Sequence, residues 1–229
     1  MNRLDAARGI CLVGRRLMQQ GLIAGADGNI AVRLSAERVL VTPSGRAKGD
    51  LGPDDLVEVD LEGRHVRGGR RASSELHMHL VILRARPDVQ AVVHAHPPVA
   101  TGFAVAGEAF DDCVLPELVA QVGWVPLVPY GTPGTPELGE QLRAYLGTHN
   151  ALLLANHGAV TLGTTLDSAH YRMESLEHAA RIILVARLLG RVEKLTREDV
   201  ARLTALRSSA GPFPGCPPQA DAPGRGRTS

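Results

Sequence analysis

Short apolar runs of strand length alternate with helical segments along most of this chain, and that alternation limits the folds open to it. Residues 89–96 form an apolar, β-branched run that Pro97 and Pro98 end. Residues 4–20 and 165–189 instead carry apolar side chains at helical spacing. The pattern predicts one α/β domain, a sheet covered by helices. Further strands are predicted at 29–34, 38–42, 56–60, 124–130 and within 151–163, and further helices at 73–86, 135–147 and 196–207.

The predicted domain spans residues 1–207, and the composition changes after it. No internal repeat divides this part of the chain, so a single domain is expected. Residues 208–229 are dominated by Ser, Pro, Gly and Ala, and we expect them to be disordered or loosely attached.

Charge and cysteine usage exclude several kinds of partner. The chain has 25 Lys and Arg against 24 Asp and Glu, so no net field favours nucleic acid or an anionic membrane. No run approaches the roughly 18 apolar residues of a membrane span, and no signal peptide is apparent. Cys11, Cys113 and Cys216 are an odd number at wide spacing, which suits a reducing compartment better than a disulfide framework. A cytoplasmic location is therefore expected.

The segment VVHAHPPVATG, residues 92–102, places His94 and His96 one residue apart at the end of a predicted strand. Alternate residues of a strand face the same side, so both imidazoles project together. They supply half of a tetrahedral metal site, and zinc favours such ligands. Two half-buried histidines bonded to backbone are the alternative. His157, in an Asn-His-Gly turn after another apolar run, is the candidate third ligand, because functional groups commonly follow the strands of α/β sheets.

Glu75, in the segment SSELHMH, is the candidate fourth ligand. A carboxylate in the first turn of a helix is also favoured by the helix dipole alone, so a structural role stays open. The same segment contains His77 and His79, but residues two apart on a helix point about 200° apart and cannot share a metal. Glu75 and His79, four residues apart, share a helix face and form the rival ligand pair.

Small polar loops form a second group of candidates. The segments GADGNIAVR, residues 25–33, and TPSGRAKG, residues 42–49, combine Gly with Asn, Ser or Thr at strand edges, and two serines open the helix near residue 74. Such loops expose backbone N–H groups and hydroxyls that can hold a phosphate. Hairpin turns use the same residues, so each loop alone is ambiguous. Three of them beside a metal-binding carboxylate favour a phosphate site.

The order of these motifs resembles the class II aldolase/adducin superfamily. The motifs are Gly-Asn, Thr-Pro-x-Gly, Ser-Ser-Glu, His-x-His-Pro and Asn-His-Gly, and together they cover roughly residues 5–195. The resemblance implies a three-layer α/β/α sandwich that assembles as a cyclic homotetramer with active sites between subunits. It implies Zn²⁺ as the cofactor, with Mn²⁺, Co²⁺ or Fe²⁺ as alternatives, and a small phosphorylated sugar as the substrate.

The resemblance also implies a role for each matching residue. Glu75 would be a metal ligand and the catalytic base, and the other metal ligands would be His94, His96 and His157. The phosphate-binding residues would be Gly28, Asn29, Ser44, Gly45, Ser73 and Ser74.

Two departures from the fuculose-phosphate aldolase pattern concern substrate binding. Asp27 stands where those enzymes have a serine, and a carboxylate near a phosphate is unfavourable unless it points away. The segment that supplies a tyrosine acid from the neighbouring subunit corresponds to residues 115–126, which contain no tyrosine. Glu117 is its only titratable side chain, and nothing in the sequence assigns it that role.

The resulting hypothesis is a zinc-dependent aldolase that cleaves a small ketose 1-phosphate of the fuculose, ribulose or 5-deoxypentulose type. The products would be dihydroxyacetone phosphate and an aldehyde. Methylthioribulose-1-phosphate dehydratase, pentulose-phosphate 4-epimerase and sugar-acid decarboxylase are the alternatives within the family. Glu75 disfavours the epimerase, which usually carries aspartate there, and the complete ligand set disfavours a non-catalytic adducin-like module.

Overall fold

The computed structural model describes residues 2–110, 112–206 and 215–216 and is built on one eight-stranded sheet. The strand order is β4-β3-β2-β1-β5-β8-β7-β6, and all neighbours are antiparallel except the parallel pair β6 and β7. The strands are β1 Asn29–Arg33, β2 Arg38–Val41, β3 Val57–Asp60, β4 His65–Arg67, β5 Ala91–Ala95, β6 Leu127–Val128, β7 Ala151–Leu154 and β8 Gly158–Gly163.

Seven helices accompany the sheet in the described residues, and their starts follow ordinary capping chemistry. The side chains of Asn2, Thr165 and Thr196 each accept a backbone N–H three residues on. Three other helices begin with proline, whose missing N–H costs nothing at that position. The helices are α1 Arg3–Gln19, α2 Leu76–Ala85, α3 Pro98–Val105, α4 Pro116–Gln121, α5 Pro136–Leu142, α6 Leu166–Leu188 and α7 Arg197–Ala205.

Two apolar clusters lie on opposite faces of the sheet. Ile30 and Val32 of β1 join the cluster that contains buried residues of α1, α3 and α6. Ala31, between them, joins the cluster formed with α2 and α5. The period of two along a strand therefore divides each central strand between two helical layers. This arrangement confirms the predicted α/β class and its three layers.

Most predicted elements are present, with differences at their ends. At Pro98 the structure differs from the prediction, which expected this residue only to end a strand. Pro98 is also the first residue of α3, because proline is well suited to the first position of a helix. Helix α4 was not predicted, since its six residues are too few to show a helical period.

The cysteines correct an expectation drawn from their spacing. Cys113 and Cys216 form a disulfide, with Cα atoms 6.2 Å apart and a sequence separation of 103, while Cys11 is a buried free thiol. Wide spacing along the sequence did not exclude a pair, because the fold brings distant segments within disulfide reach. Apart from residues 215 and 216, the predicted tail lies outside the described residues.

No helix in the described ranges combines the length and the apolar character that a membrane-spanning helix needs.

Gly163, at the end of β8, is predicted to be essential for the turn into α6. A Cβ at this position would overlap the backbone nitrogen of Ala169 and lie 2.5 Å from the carbonyl oxygen of Thr165. We expect Gly163→Ala to lower the free energy of unfolding by about 1–3 kcal/mol, the range for overpacked sites. Gly147→Ala is the matched control, because nothing lies within 4 Å of its added Cβ. Equal urea midpoints for the two variants would contradict the prediction.

Candidate active site

Three histidine side chains converge beside the end of β5. His94 lies in β5 and His96 directly follows it, while His157 lies in the turn between β7 and β8. Because β5 pairs with β8, with Ala95 opposite Ala159, that turn is adjacent to the end of β5. The ring centroids are 4.7 to 5.1 Å apart. The structure thus brings together the three histidines proposed as ligands.

The nitrogen atoms of these rings are oriented for a shared cation. His94 donates through Nδ1 to the Ala159 carbonyl at 2.9 Å, which leaves Nε2 as an acceptor. His96 directs Nε2 toward His94 Nε2 at 3.1 Å, and its Nδ1 lies 3.6 Å from the Asp27 carboxylate. A carboxylate favours the proton on the nitrogen that faces it. Two facing acceptor nitrogens would then repel each other unless a cation lay between them.

The distances between the donor atoms fit tetrahedral coordination. Glu75 Oε2 is 3.2 Å from His94 Nε2, and Glu75 Oε1 is 3.3 Å from His157 Nε2. Ligands at about 2.0–2.1 Å from a tetrahedral zinc ion are about 3.3–3.4 Å apart. Burial, with His94 acting in the same direction, lowers the pKa of His157 to about 4 and also lowers the pKa of His96. Neutral imidazoles are the form that binds metal, so these residues fit a divalent metal ion.

Glu75 reaches the histidines from the N-terminus of α2, where it is the N-cap residue. Its backbone N–H donates to Ser73 Oγ at 3.2 Å, but its side chain makes no capping bond. The carboxylate turns inward instead, and Oε2 accepts from Asn29 Nδ2 at 2.7 Å. Burial opposes ionisation of this carboxyl group, yet His94, His157 and Asn29 outweigh it and hold the pKa of Glu75 far below its usual range. The group is therefore an ionised carboxylate, which is the form that binds a metal ion.

His79 lies behind Glu75 rather than among the converging histidines. It is fully buried and donates through Nε2 to Asn29 Oδ1, while the same amide donates to Glu75. Burial lowers the pKa of His79 to about 3, so the ring is neutral. An amide thus separates the two members of the rival ligand pair. His77 points elsewhere, against Gly139 of α5.

A cleft of about 240 Å³ opens beside the histidines, and all six residues proposed to bind phosphate line it. They belong to the loops before β1, after β2 and before α2. The second and third loops are tied together, because Ser44 donates its N–H to the Arg71 carbonyl and Ser73 donates to Thr42. The six residues are Gly28, Asn29, Ser44, Gly45, Ser73 and Ser74, and Glu75, His96 and His157 line the same cleft.

Two of these loop residues have geometrical roles that the sequence did not indicate. Gly28 has a φ of 70°, and a Cβ there would lie 2.8 Å from the His94 carbonyl oxygen, so the loop can approach β5 only with glycine. Asn29 uses both ends of its side-chain amide on His79 and Glu75. Its side chain positions the carboxylate, which is a role distinct from phosphate contact.

Asp27 and Lys48 are two further charged residues of the cleft. Asp27 was expected to be unfavourable for phosphate binding unless it points away; it lines the cleft, and its carboxylate lies 3.6 Å from His96 Nδ1. Lys48 also lines the cleft and was given no role, although it lies in the segment TPSGRAKG. A single lysine beyond a polar loop is a weak signal, because most lysines are exposed and have no specific partner.

The segment 115–126 makes no contribution to this cleft. Helix α4 lies within it and packs on α6 and α7. Glu117 is exposed on α4, and no tyrosine is found among the described residues that line the cleft.

Comparison with known proteins shows the family. A family model described as the class II aldolase and adducin N-terminal domain matches residues 8–184, so the chain belongs to that family. A 3-oxo-tetronate 4-phosphate decarboxylase of Pectobacterium atrosepticum is 36% identical over 198 residues, which cover 84% of this chain and 89% of the relative. A 5-methylthioribulose-1-phosphate/5-deoxyribulose-1-phosphate aldolase of Rhodospirillum rubrum is 38% identical over 170 residues, covering 73% and 75%.

A solved structure agrees with these sequence relatives. An L-fuculose 1-phosphate aldolase superposes with a TM-score of 0.82 at 30% identity, covering 88% of this chain and 95% of that one. The predicted superfamily is therefore confirmed. The relatives named here are lyases, in agreement with the predicted enzyme class.

Loss of one histidine should abolish tight metal binding. Chelator-treated protein is expected to take up about one Zn²⁺ per chain, and a Co²⁺ titration followed by absorption should give the spectrum of a tetrahedral site. His157→Ala removes one of the nitrogen ligands and should weaken binding by at least about 100-fold. His65→Ala, exposed on β4, is the control and should bind like the wild type. Unchanged affinity in His157→Ala would exclude this metal site.

Proposed function

We propose that the protein is a divalent-metal-dependent aldolase that cleaves a small ketose 1-phosphate to dihydroxyacetone phosphate and an aldehyde. The observation that carries the proposal is the Glu75 carboxylate, placed between His94 and His157 at the edge of a polar cleft. Membership of the class II aldolase and adducin family supports the same chemistry. Zinc is the proposed metal, because three imidazoles and one carboxylate form a donor set that suits it.

The proposed roles divide the cleft into two ends. The loops that contain Ser44 and Ser73 hold the phosphate through hydroxyl and backbone N–H groups. The bound metal supplies a Lewis acid for the negative charge that develops on the ketone oxygen. Glu75 accepts the proton of the C4 hydroxyl as the C3–C4 bond breaks and returns it to C3. One carboxylate can serve both steps because cleavage consumes and releases no net proton.

Decarboxylation of a phosphorylated 3-oxo sugar acid is the second candidate. The decarboxylase of Pectobacterium atrosepticum aligns over a larger share of this chain than the aldolase of Rhodospirillum rubrum. Loss of CO₂ from such an acid leaves the same enediolate that aldol cleavage leaves. Decarboxylation takes no proton from a substrate hydroxyl group. It therefore needs no tyrosine that acts as an acid or base on the leaving group.

The two candidate reactions can be distinguished by the second product that each one releases. Metal-loaded protein is expected to release dihydroxyacetone phosphate and an aldehyde from 5-deoxyribulose 1-phosphate or a related ketose 1-phosphate. Release of CO₂ from 3-oxo-tetronate 4-phosphate, with no cleavage of ketose phosphates, would instead establish the decarboxylase.

Glu75→Gln should lower kcat by about 10²–10⁴-fold, the usual contribution of general acid–base catalysis. Glu62→Gln, exposed after β3, is the matched control.

We also propose that the chain assembles as a homotetramer, as the resemblance implied. The C-terminal end of α6 supports self-association, because it carries Ile182, Val185, Leu188 and Leu189 with exposures between 37% and 81%. Ile182, Val185 and Leu189 follow helical spacing and share one side of the helix, and such exposed apolar side chains are typical of surfaces that another chain covers.

Sedimentation equilibrium tests this assembly. The wild type should have four times the chain mass of 24.3 kDa. Val185→Asp combined with Leu189→Asp should shift the distribution to smaller species, because each carboxylate would have to be buried. Leu206→Asp, at the similarly exposed C-cap of α7, should leave the mass unchanged. A wild-type protein that sediments as a monomer at micromolar concentration would exclude the tetramer.

A further inference from the structure

We propose that Lys48 is the cation that binds the substrate phosphate in the cleft. The inference rests on the proposed function, because it assumes a phosphorylated substrate. Lys48 lies in a short 3₁₀ turn, Lys48–Asp50, after the loop that contains Ser44 and Gly45. It is only 3% exposed, yet it lines the cleft together with both of these residues.

A lysine this deeply buried is unusual and calls for compensating partners. Its Nζ donates to the carbonyl oxygens of Ala26 and, at 3.0 Å, of Arg46. Helix α1 packs closely against the backbone of the lysine at Gly14, where a Cβ would overlap the Lys48 carbonyl oxygen. The ammonium group is therefore held in one place rather than free to move into solvent.

An ammonium group has three N–H donors, and the two carbonyls use two of them. Neither partner is a carboxylate, so the positive charge of Lys48 is not neutralised by a direct ion pair. Burial lowers the pKa of Lys48, while Asp27 and Glu75 favour its charged form. A third N–H donor on an ammonium group without a direct ion pair is the feature that a phosphate dianion would use.

The charges of the cleft lead to the same assignment. Lys48 is the only Lys or Arg among the described residues that line it, whereas Asp27 and Glu75 bring two carboxylates. A phosphate would add about two more negative charges to this space. Hydroxyl and backbone N–H donors alone supply no net positive charge to offset them. Among the described residues of the cleft, Lys48 is therefore the one Lys or Arg side chain whose positive charge is available to the phosphate of the substrate.

The competing interpretation is that Lys48 only ties two loops together. Ala26 belongs to the loop before β1 and Arg46 to the loop after β2, so a bond to each would position both loops whatever they bind. The two interpretations differ in what replaces lysine successfully. A neutral donor can tie loops together, but it cannot supply charge.

Lys48→Gln and Lys48→Met separate charge from bonding. Binding of inorganic phosphate to the zinc-loaded protein, measured by calorimetry, should weaken at least tenfold in both variants, while zinc affinity stays that of the wild type. Arg46→Met is the matched control, because Arg46 is a cation of the same loop that does not line the cleft. Phosphate affinity equal to the wild type in Lys48→Gln would overturn the proposal and favour the loop-tying role.

A measurement on the wild type avoids any folding defect of the variants. The chain contains two lysines, Lys48 and Lys194, so ¹³Cε labelling of lysine gives one resonance for each. Lys194 pairs with Asp112 outside the cleft and serves as an internal reference. Saturating phosphate should shift the Lys48 resonance and leave that of Lys194 in place. Phosphate that binds without moving the Lys48 resonance would refute the assignment. If the zinc-loaded wild type bound no phosphate, the proposed function itself would fail.

Discussion

The pairing of β5 between β1 and β8 is the interaction on which the site depends. In these two ladders His94 lies opposite Asn29 on one side and opposite Val160 on the other. The first pairing places the amide that holds Glu75 next to the histidine pair. The second places the His157 turn beside the end of β5 and supplies the Ala159 carbonyl that orients the His94 ring. A slip of one residue in either ladder would turn His94 to the opposite face of the sheet.

A buried carboxylate is the second constraint, because an unpaired ion is costly in a protein interior. Glu75 accepts a hydrogen bond from the Asn29 amide rather than from an arginine or lysine. A metal ion held together with His94 and His157 would neutralise its remaining charge. The Asn29 amide is itself oriented by His79, whose neutral ring is enclosed by the core. This chain of bonds holds the carboxylate in one position while leaving its charge available. A catalytic base that also binds a metal needs both properties.

The sequence predicted the α/β class of the fold well, because the periods of strands and helices report directly on burial. The three-layer arrangement was implied by the family resemblance. It also suggested His94 and His96 as a pair, since a period of two is local information. The roles of Glu75 and His157 depended on the family resemblance, because no local pattern shows that residues so far apart meet. The Asn29 amide, the inward-facing Lys48 and the Cys113–Cys216 pair could not be predicted, because each depends on contacts between distant segments.

The family relationship connects this chain both to aldolases and to a decarboxylase, and the chemistry of the cleft explains why one site suits both. Either reaction produces the enediolate of dihydroxyacetone phosphate, which has a phosphate at one end and a developing oxyanion at the other. In the proposed function, the polar loops and Lys48 would contact the phosphate, and the histidines and Glu75 would lie at the oxyanion. The part of the substrate that leaves, an aldehyde or CO₂, has no obvious counterpart among them. In the proposed tetramer, residues of a neighbouring chain would contact the leaving part of the substrate and so select between the two proposed reactions.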